Sequence, residues 1–245
     1  MSSRDRLAVA VRLAWLKTRA GRIWLIAPAV LLAIVAYAWV RESYETAMRF
    51  FLGLFPYVFL FLGADMVRSE AESGAQESGL FLAGRFREYL MLKGPFLAAV
   101  AAGISLAMFA GLTLAGLVAG RHPFPEAGRF GLGLVAGVYY TALAGLLSTR
   151  LRAGSNVLVV VVAQAATLLL VMLTLSSRTE LLKAMETGVW PDLNTRLEFL
   201  AAAAIIPNLV LSRPLYIFSL ELLALTALAF VWQRALIRRM ELGRP

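Results

Sequence analysis

Long apolar runs divide this chain and constrain its fold more than any other feature. The run from Ile23 to Val40 holds eighteen residues without a charge, enough for a helix to cross about 30 Å of hydrocarbon. Five more runs follow, and the predicted membrane-spanning helices are 23–40, 46–67, 94–119, 130–148, 157–177 and 214–233. The chain is 60% hydrophobic and only 16% charged, which is far from the composition of a soluble domain. The sequence therefore predicts an all-α membrane protein, with one transmembrane domain over residues 1–245.

The segments around these spans predict smaller helices. Residues 1–22 are basic and carry apolar residues at helical spacing, which favours an amphipathic interfacial helix over a mobile tail. In the 178–213 stretch, the fourteen residues from Phe199 to Ser212 are apolar but too few to cross, and Pro207 interrupts them. This stretch predicts interfacial or re-entrant helices.

Proline and glycine positions predict local features of the spans. Pro56 lies in the middle of the second span and predicts a kink. The GxxxG spacings that end at Gly120 and Gly137 predict close approach between helices, because small residues let backbones come together in lipid. Glycine is frequent here, with 19 in the chain, so such spacings also arise by chance.

The segment 68–93 is the longest polar interruption in the first half of the chain. It cannot lie in hydrocarbon, where each unpaired polar group costs several kcal/mol. We therefore expect it in water beside the membrane, either as a solvated connector or against another protein. Four basic residues balance four glutamates: Arg68, Arg85, Arg87 and Lys93, with Glu70, Glu72, Glu77 and Glu88.

The distribution of basic residues predicts the orientation. With six spans, sixteen of the 24 lysines and arginines fall on the side that holds both termini and the 68–93 segment, and eight on the other. Positive residues concentrate on the cytoplasmic side. Both termini and the 68–93 segment are therefore predicted to be cytoplasmic, and 178–213 external. The same bias accounts for the net charge of +9 without nucleic-acid binding.

Residue types and motifs argue against chemistry within this chain. Cysteine is absent and His122 is the single histidine, so thiol catalysis, disulfides and histidine metal clusters are not expected. The motifs GxxxxGK[ST], HExxH and GxSxG are missing, and these would indicate a phosphate-binding loop or a hydrolase. The sequence predicts neither an enzyme nor a metal site.

Glu221 is the one ionisable residue well inside a predicted span, which makes it a functional candidate. Its candidate roles are binding a cationic substrate, relaying a proton, or pairing with an arginine on a neighbouring helix. Alternatively it lies near the outer end of its span and reaches water or Arg213. Four polar residues either line a pathway or join helices by hydrogen bonds: Gln164, Thr167, Tyr139 and Tyr140.

Six spans, an amphipathic N-terminal helix and a long cytoplasmic loop between spans 2 and 3 resemble the membrane subunit (permease) of a type-2 ABC exporter. In that family the loop tends to read E-x-E-x-G-T, then leucines, a proline turn, arginine and a closing lysine. Two positions depart from this pattern: Ala75 replaces threonine, and Ala83–Gly84 replace proline. The matching residues are Glu70, Glu72, Gly74, Leu80, Leu82, Arg85, Arg87 and Lys93.

The resemblance implies a partner and a mechanism. Two such subunits, identical or merely similar, would form the pathway in the bacterial inner membrane. Each would bind a separate ATP-binding cassette ATPase, which holds ATP and Mg²⁺, through a coupling helix in the 68–93 segment. Glu70, Glu72 and Glu77 would contact basic groups of the ATPase, and Gly74 would end a helical turn. Arg85 and Arg87 would form the basic turn.

Two other functions are compatible with the residues. The chain is either a membrane scaffold or anchor whose loop recruits a partner without a transport pathway, or an ion-coupled carrier that uses Glu221. Paired, similarly interrupted spans would favour a carrier built from repeats, and the sequence shows no convincing internal repeat.

Overall fold

The structure is a computed structural model that describes residues 8, 11–16, 23–68, 70, 85–121, 126–175, 183, 187, 189–208 and 216–239. At 23, 85, 87, 153, 171–175 and 216–219 it describes the backbone alone. The described residues are helices joined by turns, with no strand among them, and residues 11–16 form a short helical segment. The longer helices are α1 (Ile23–Arg41), α2 (Tyr44–Leu54), α3 (Pro56–Gly63), α4 (Arg85–Val118), α5 (Ala127–Leu147), α6 (Ala153–Leu175), α7 (Leu193–Ile205) and α8 (Tyr216–Arg239).

Several helical segments have the length and composition needed to cross a membrane. Within the part of the chain that the structure describes there are five: Trp24–Arg41, Tyr44–Gly63, Glu88–Val118, Ala127–Leu147 and Leu220–Arg239. The predicted fifth span falls on α6, which contains the shorter apolar stretch Gly154–Leu170. The all-helical membrane protein is therefore confirmed, and the six-span layout stays a prediction.

The second predicted span is broken at the predicted proline. Phe55 separates α2 from α3, and Pro56 occupies the first position of α3, where its missing N–H needs no helical partner. The Phe55 amide still donates to the Phe51 carbonyl at 2.9 Å, and the Val58 amide donates to the Phe55 carbonyl at 3.0 Å. The span is therefore two consecutive helices that meet at Phe55, and the bend predicted there stays a prediction.

Two helix boundaries differ from the prediction. Helix α4 begins at Arg85 instead of 94, so the end of the 68–93 segment is continuous with the third span. Helix α8 runs to Arg239, six residues beyond the predicted end at 233. The prediction began the third span after Lys93 and ended the sixth span before Arg234. A helix continues past such charges because its backbone hydrogen bonds stay paired inside the helix, in lipid or in water.

The predicted interfacial region 178–213 contains one described helix, α7, which starts before the apolar stretch. Asp192 caps it, because its side chain accepts a hydrogen bond from the Thr195 amide at 2.6 Å. The helix ends at Ile205, just before Pro207. A second helix predicted in the same region would fall mainly on 209–215, which lies outside the described residues.

Helix α5 is at the centre of the packing, and it packs most extensively against α3 and α8. Glycines permit close approach at two places, one between α5 and α3 and one between α4 and α2. A Cβ at Gly137 would lie 2.6 Å from the ring of the fully buried Phe59. A Cβ at Gly116 would lie 2.5 Å from the Tyr44 ring. Gly116 begins a GxxxG spacing whose second glycine, Gly120, follows the end of α4. Gly120 has φ +72, a conformation that glycine adopts without strain.

Candidate functional site

The two ends of the 68–93 segment meet in the structure. We call residues 64–68, 70 and 85–97 the loop base. The turn after α3 buries Met66 and Val67 completely against the first turns of α4. Apolar residues of α4 follow the spacing of one helix face, which places them together on this turn. The buried cluster consists of Ala14, Met66, Val67, Phe86, Tyr89, Leu90, Leu97 and Ile237.

An ion pair lies inside the loop base. The Lys93 Nζ is 2.7 Å from Glu70 Oε1, and the two side chains are only 8% and 5% exposed. The Tyr89 hydroxyl donates to the same carboxylate oxygen at 3.3 Å, and Lys93 Nζ lies 3.5 Å from the carbonyl oxygen of Asp65. Two buried charges are tolerated when they pair with each other and when their remaining donors and acceptors are hydrogen-bonded. This cluster therefore holds both ends of the segment together.

Hydrogen bonds join the loop base to α5, α6 and the turn between them. The Arg68 guanidinium donates to the carbonyl of Arg150. The Asn156 side-chain amide, fully buried at the start of α6, donates to the carbonyls of Ala64 at 3.0 Å and Ala144 at 2.9 Å. The loop base is thus tied by directed contacts to two further helices.

Close packing joins the loop base to α8. A Cβ at Gly94 would lie 3.2 Å from the Met66 sulfur and 3.3 Å from the Phe230 ring. A Cβ at Gly145 would collide with Met66 and come within 2.8 Å of Gln233 Nε2. The absence of side chains at these glycines lets α4, α5 and α8 close around Met66.

The predicted coupling residues are only partly brought together. Glu70 is buried against Lys93 and Tyr89 inside the chain. Arg85 and Arg87 lie in the first turn of α4, where the structure describes the backbone alone. Three further predicted residues lie outside the described residues: Glu72, Gly74 and Glu77. Their contacts with a partner stay a prediction.

Glu221 has a partner on a neighbouring helix. Its Oε1 lies 2.6 Å from Nη2 of Arg196, which projects from α7, and the side chains are 27% and 43% exposed. Of the roles considered for Glu221, pairing with an arginine is therefore the one observed. Arg213, the alternative arginine considered from the sequence, lies outside the described residues.

Three of the other four polar residues considered within the spans make hydrogen bonds that join helices. The Gln164 side chain accepts from the Tyr57 hydroxyl at 2.9 Å and donates to the Tyr140 hydroxyl at 2.7 Å and to the Ile205 carbonyl at 3.1 Å. Tyr139 donates to a carbonyl near the end of α7 at 2.8 Å. The contacts of Gln164, Tyr139 and Tyr140 follow the helix-joining interpretation, whereas the Thr167 hydroxyl donates to a carbonyl of its own helix at 2.8 Å.

Sequence reasoning missed Tyr89 and Asn156. Tyr89 lies in the 68–93 segment and Asn156 just before the fifth predicted span, and neither was assigned a role from the sequence. Their helix positions carried a weak signal, because a polar group at the end of an apolar run usually finds a partner. The identity of that partner depends on chain segments that are distant in sequence.

Comparison of the chain with family models, with curated proteins and with solved structures finds no match. Among the described residues, no group of three histidine, aspartate or glutamate residues is placed to hold a metal ion. The fold itself defines the class: an all-helical membrane protein with several helices of membrane-spanning length.

Proposed function

We propose that this chain is the membrane-spanning permease subunit of an ATP-driven ABC exporter. It works as a dimer, and its 68–93 segment docks on a separate ATPase subunit that binds ATP and Mg²⁺. The observation that carries the proposal is the buried Glu70–Lys93 ion pair at the loop base. The segment also resembles the coupling loop of type-2 ABC exporter permeases, and this resemblance indicates an ATP-binding cassette ATPase as the partner.

A coupling segment has to transmit movement instead of absorbing it. A flexible connector would bend when pushed at its tip, and the spans would stay where they are. Here the ion pair joins the two ends of the segment: Nζ of Lys93 lies 2.7 Å from Oε1 of Glu70, and both side chains are almost fully buried. Electrostatic interactions are strong in such a low-dielectric site. Separating the two charges is therefore unfavourable. A push on the segment would therefore reach α3 and α4 together.

The connections of the loop base extend this movement to other helices. Arg68 contacts the turn between α5 and α6, and Asn156 holds the first turn of α6 to the end of α3. Met66 fills the space that Gly145 leaves on α5. In the proposed mechanism, closure of the ATPases moves these helices as a unit between inward-open and outward-open states.

The proposal divides the glutamates of the segment into two groups. Glu70 acts inside the chain by holding the loop base closed. Glu72 and Glu77 contact basic groups on the ATPase, with Gly74 at the turn between them. Arg85 and Arg87 lie at the start of α4, where the docking segment joins the helix.

The test is co-purification with ATP-binding cassette ATPases from the same genome, followed by ATPase assays in proteoliposomes. Glu72→Lys is expected to dissociate the complex, because it reverses the charge offered to the partner. Glu42→Lys is the matched control, since Glu42 is exposed and lies beyond the far end of α1. If Glu72→Lys leaves assembly and ATPase activity unchanged, the docking role is wrong.

A second variant separates coupling from docking. Glu70→Leu is expected to retain the ATPase but to lose the dependence of ATP hydrolysis on the permease. A complex that assembles in every variant, with ATP hydrolysis never linked to transport, would identify a scaffold. Transport that proceeds without any ATPase and is abolished by Glu221→Gln would identify an ion-coupled carrier.

A further inference from the structure

A cleft opens beside the loop base, where the turn after α5 faces the last turns of α8. Its volume is about 320 Å³, and Thr149, Arg150, Leu236 and Arg239 line it. The Arg68 side chain holds the Arg150 carbonyl, which fixes the turn on one wall. The other wall is the end of α8. The cleft is therefore built by two elements that are remote in sequence.

The cleft presents positive charge. Arg150 and Arg239 are exposed, and neither has an ion-pair partner among the residues that the structure describes. The Thr149 hydroxyl donates to the Leu146 carbonyl at 2.7 Å, so its donor is already used. The donors that remain for a ligand are the two guanidinium groups. Planar guanidinium groups bind the oxygens of a phosphate group through paired hydrogen bonds.

The surface of α8 that leads to the cleft is apolar. Leu228, Trp232 and Arg239 follow one another at spacings of four and seven residues, which places them along one stripe of the helix. Leu228 and Trp232 are each 64% exposed. Tryptophan is enriched at headgroup level in membranes, so the stripe runs from an acyl-chain surface, past an interfacial tryptophan, to an arginine.

We propose that this cleft binds the phosphate group of an anionic phospholipid. Arg150 and Arg239 bind the phosphate, Leu236 lines the apolar wall, and the acyl chains lie along Leu228 and Trp232. Basic pockets between membrane helices bind such headgroups. A cation in the last turn of α8 also interacts favourably with the helix end. That effect involves Arg239 alone and does not account for a second arginine across a cleft.

The experiment measures lipid-dependent stabilisation of the full-length chain in detergent. Thermal unfolding is followed while dioleoyl-phosphatidylglycerol, dioleoyl-phosphatidylcholine or inorganic phosphate is titrated, with ionic strength matched by sodium chloride. Phosphatidylglycerol is expected to raise the unfolding midpoint and phosphatidylcholine to have a smaller effect. In the Arg150→Gln/Arg239→Gln variant the apparent affinity for phosphatidylglycerol is expected to fall about thirty-fold.

Arg238→Gln is the matched control, because it removes the same charge from the same helical turn and Arg238 is not among the residues that line the cleft. It is expected to retain the affinity of the unmodified chain. Arg239→Gln alone, at an exposed position, keeps the test valid if the double variant does not fold, and about a five-fold loss is expected.

The arms distinguish the source of the phosphate group. A shift with inorganic phosphate that equals the lipid shift, and that disappears in the double variant, supports the same site with free phosphate as its ligand. If phosphatidylglycerol stabilises the double variant and the unmodified chain equally, the proposal is wrong. An equal loss in Arg238→Gln also overturns it, because general surface charge then explains the effect.

Discussion

Both ends of the helix bundle carry ion pairs, and they use them differently. At the loop base, Lys93 and Glu70 lie 2.7 Å from each other, with side chains 8% and 5% exposed. At the opposite end, Arg196 and Glu221 are 2.6 Å from each other, but their side chains are 43% and 27% exposed. Arg121 and Glu45, also at that end, are more than half exposed. The first two pairs have nearly equal distances, so the difference between them is the burial of their side chains.

The difference shows that an ion-pair distance alone says little about its structural role. An exposed pair contributes about 0–1 kcal/mol, because water and salt screen it. Removing one partner of a buried pair leaves an uncompensated charge and costs about 3–5 kcal/mol. The loop base is therefore expected to resist local change, whereas the opposite end tolerates it. Four substitutions test this comparison, in order of decreasing effect.

Glu70→Leu is expected to give the largest loss, about 3–5 kcal/mol of unfolding free energy, because Lys93 stays buried without its counter-charge. Denaturant titration in detergent micelles measures it. The double variant Glu70→Leu/Lys93→Met is expected to recover most of the loss, since an apolar pair has no charge to desolvate. A single-variant loss below about 1 kcal/mol would place this pair with the exposed ones.

Gly137→Ala tests packing between the two ends, where no charge is involved. The new methyl group would lie 2.6–2.8 Å from three atoms of the buried Phe59 ring. A loss of about 1–3 kcal/mol is expected from this overpacking. Gly131→Ala is the control on the same helix, because nothing lies within 4 Å of its Cβ position. The control should be neutral or slightly stabilising, and equal losses at both positions would contradict the packing explanation.

Gln164→Leu removes the amide that joins Tyr57, Tyr140 and the end of α7. Hydrogen bonds between membrane helices contribute roughly 0.6 kcal/mol each on average, so about 1–2 kcal/mol of stability is expected to be lost. Thr167→Val is the control, since that hydroxyl bonds only to its own helix among the described contacts. A larger loss in the control would show that helix-joining bonds are not the relevant ones.

Glu221→Gln is expected to give the smallest effect, below about 1 kcal/mol, because its partner Arg196 is well exposed. Thermal unfolding in detergent at low and high salt measures it, and the small difference from the unmodified chain should shrink as salt screens the pair. A loss as large as that of Glu70→Leu would remove the contrast between the two ends.

Parts of the fold followed from the sequence because they depend on local properties. The break at Pro56 was predictable, since a missing N–H acts on its own helix. The third and sixth predicted spans were too short, because Lys93 and Arg234 were taken to bound them, whereas charge alone does not disrupt helical hydrogen bonds.

The candidate site was predictable as a set of residues but not as an arrangement. Glu70 and Lys93 both belonged to the predicted loop pattern, but no local pattern indicated that they would pair. Loop closure brings them together, and it depends on how the turn after α3 packs against α4. Asn156 and Ala64 are 92 residues from each other in sequence, a separation that no local pattern encodes.

The sequence by itself determined that this chain is helical and resides in a membrane, because apolar length and missing charge are properties of each run alone. The tertiary structure decided which polar groups face one another: Glu70 with Lys93, Glu221 with Arg196, and Arg150 across a cleft from Arg239. Such pairings depend on helix packing, in which small residues such as Gly145 and Gly137 set how closely the backbones approach.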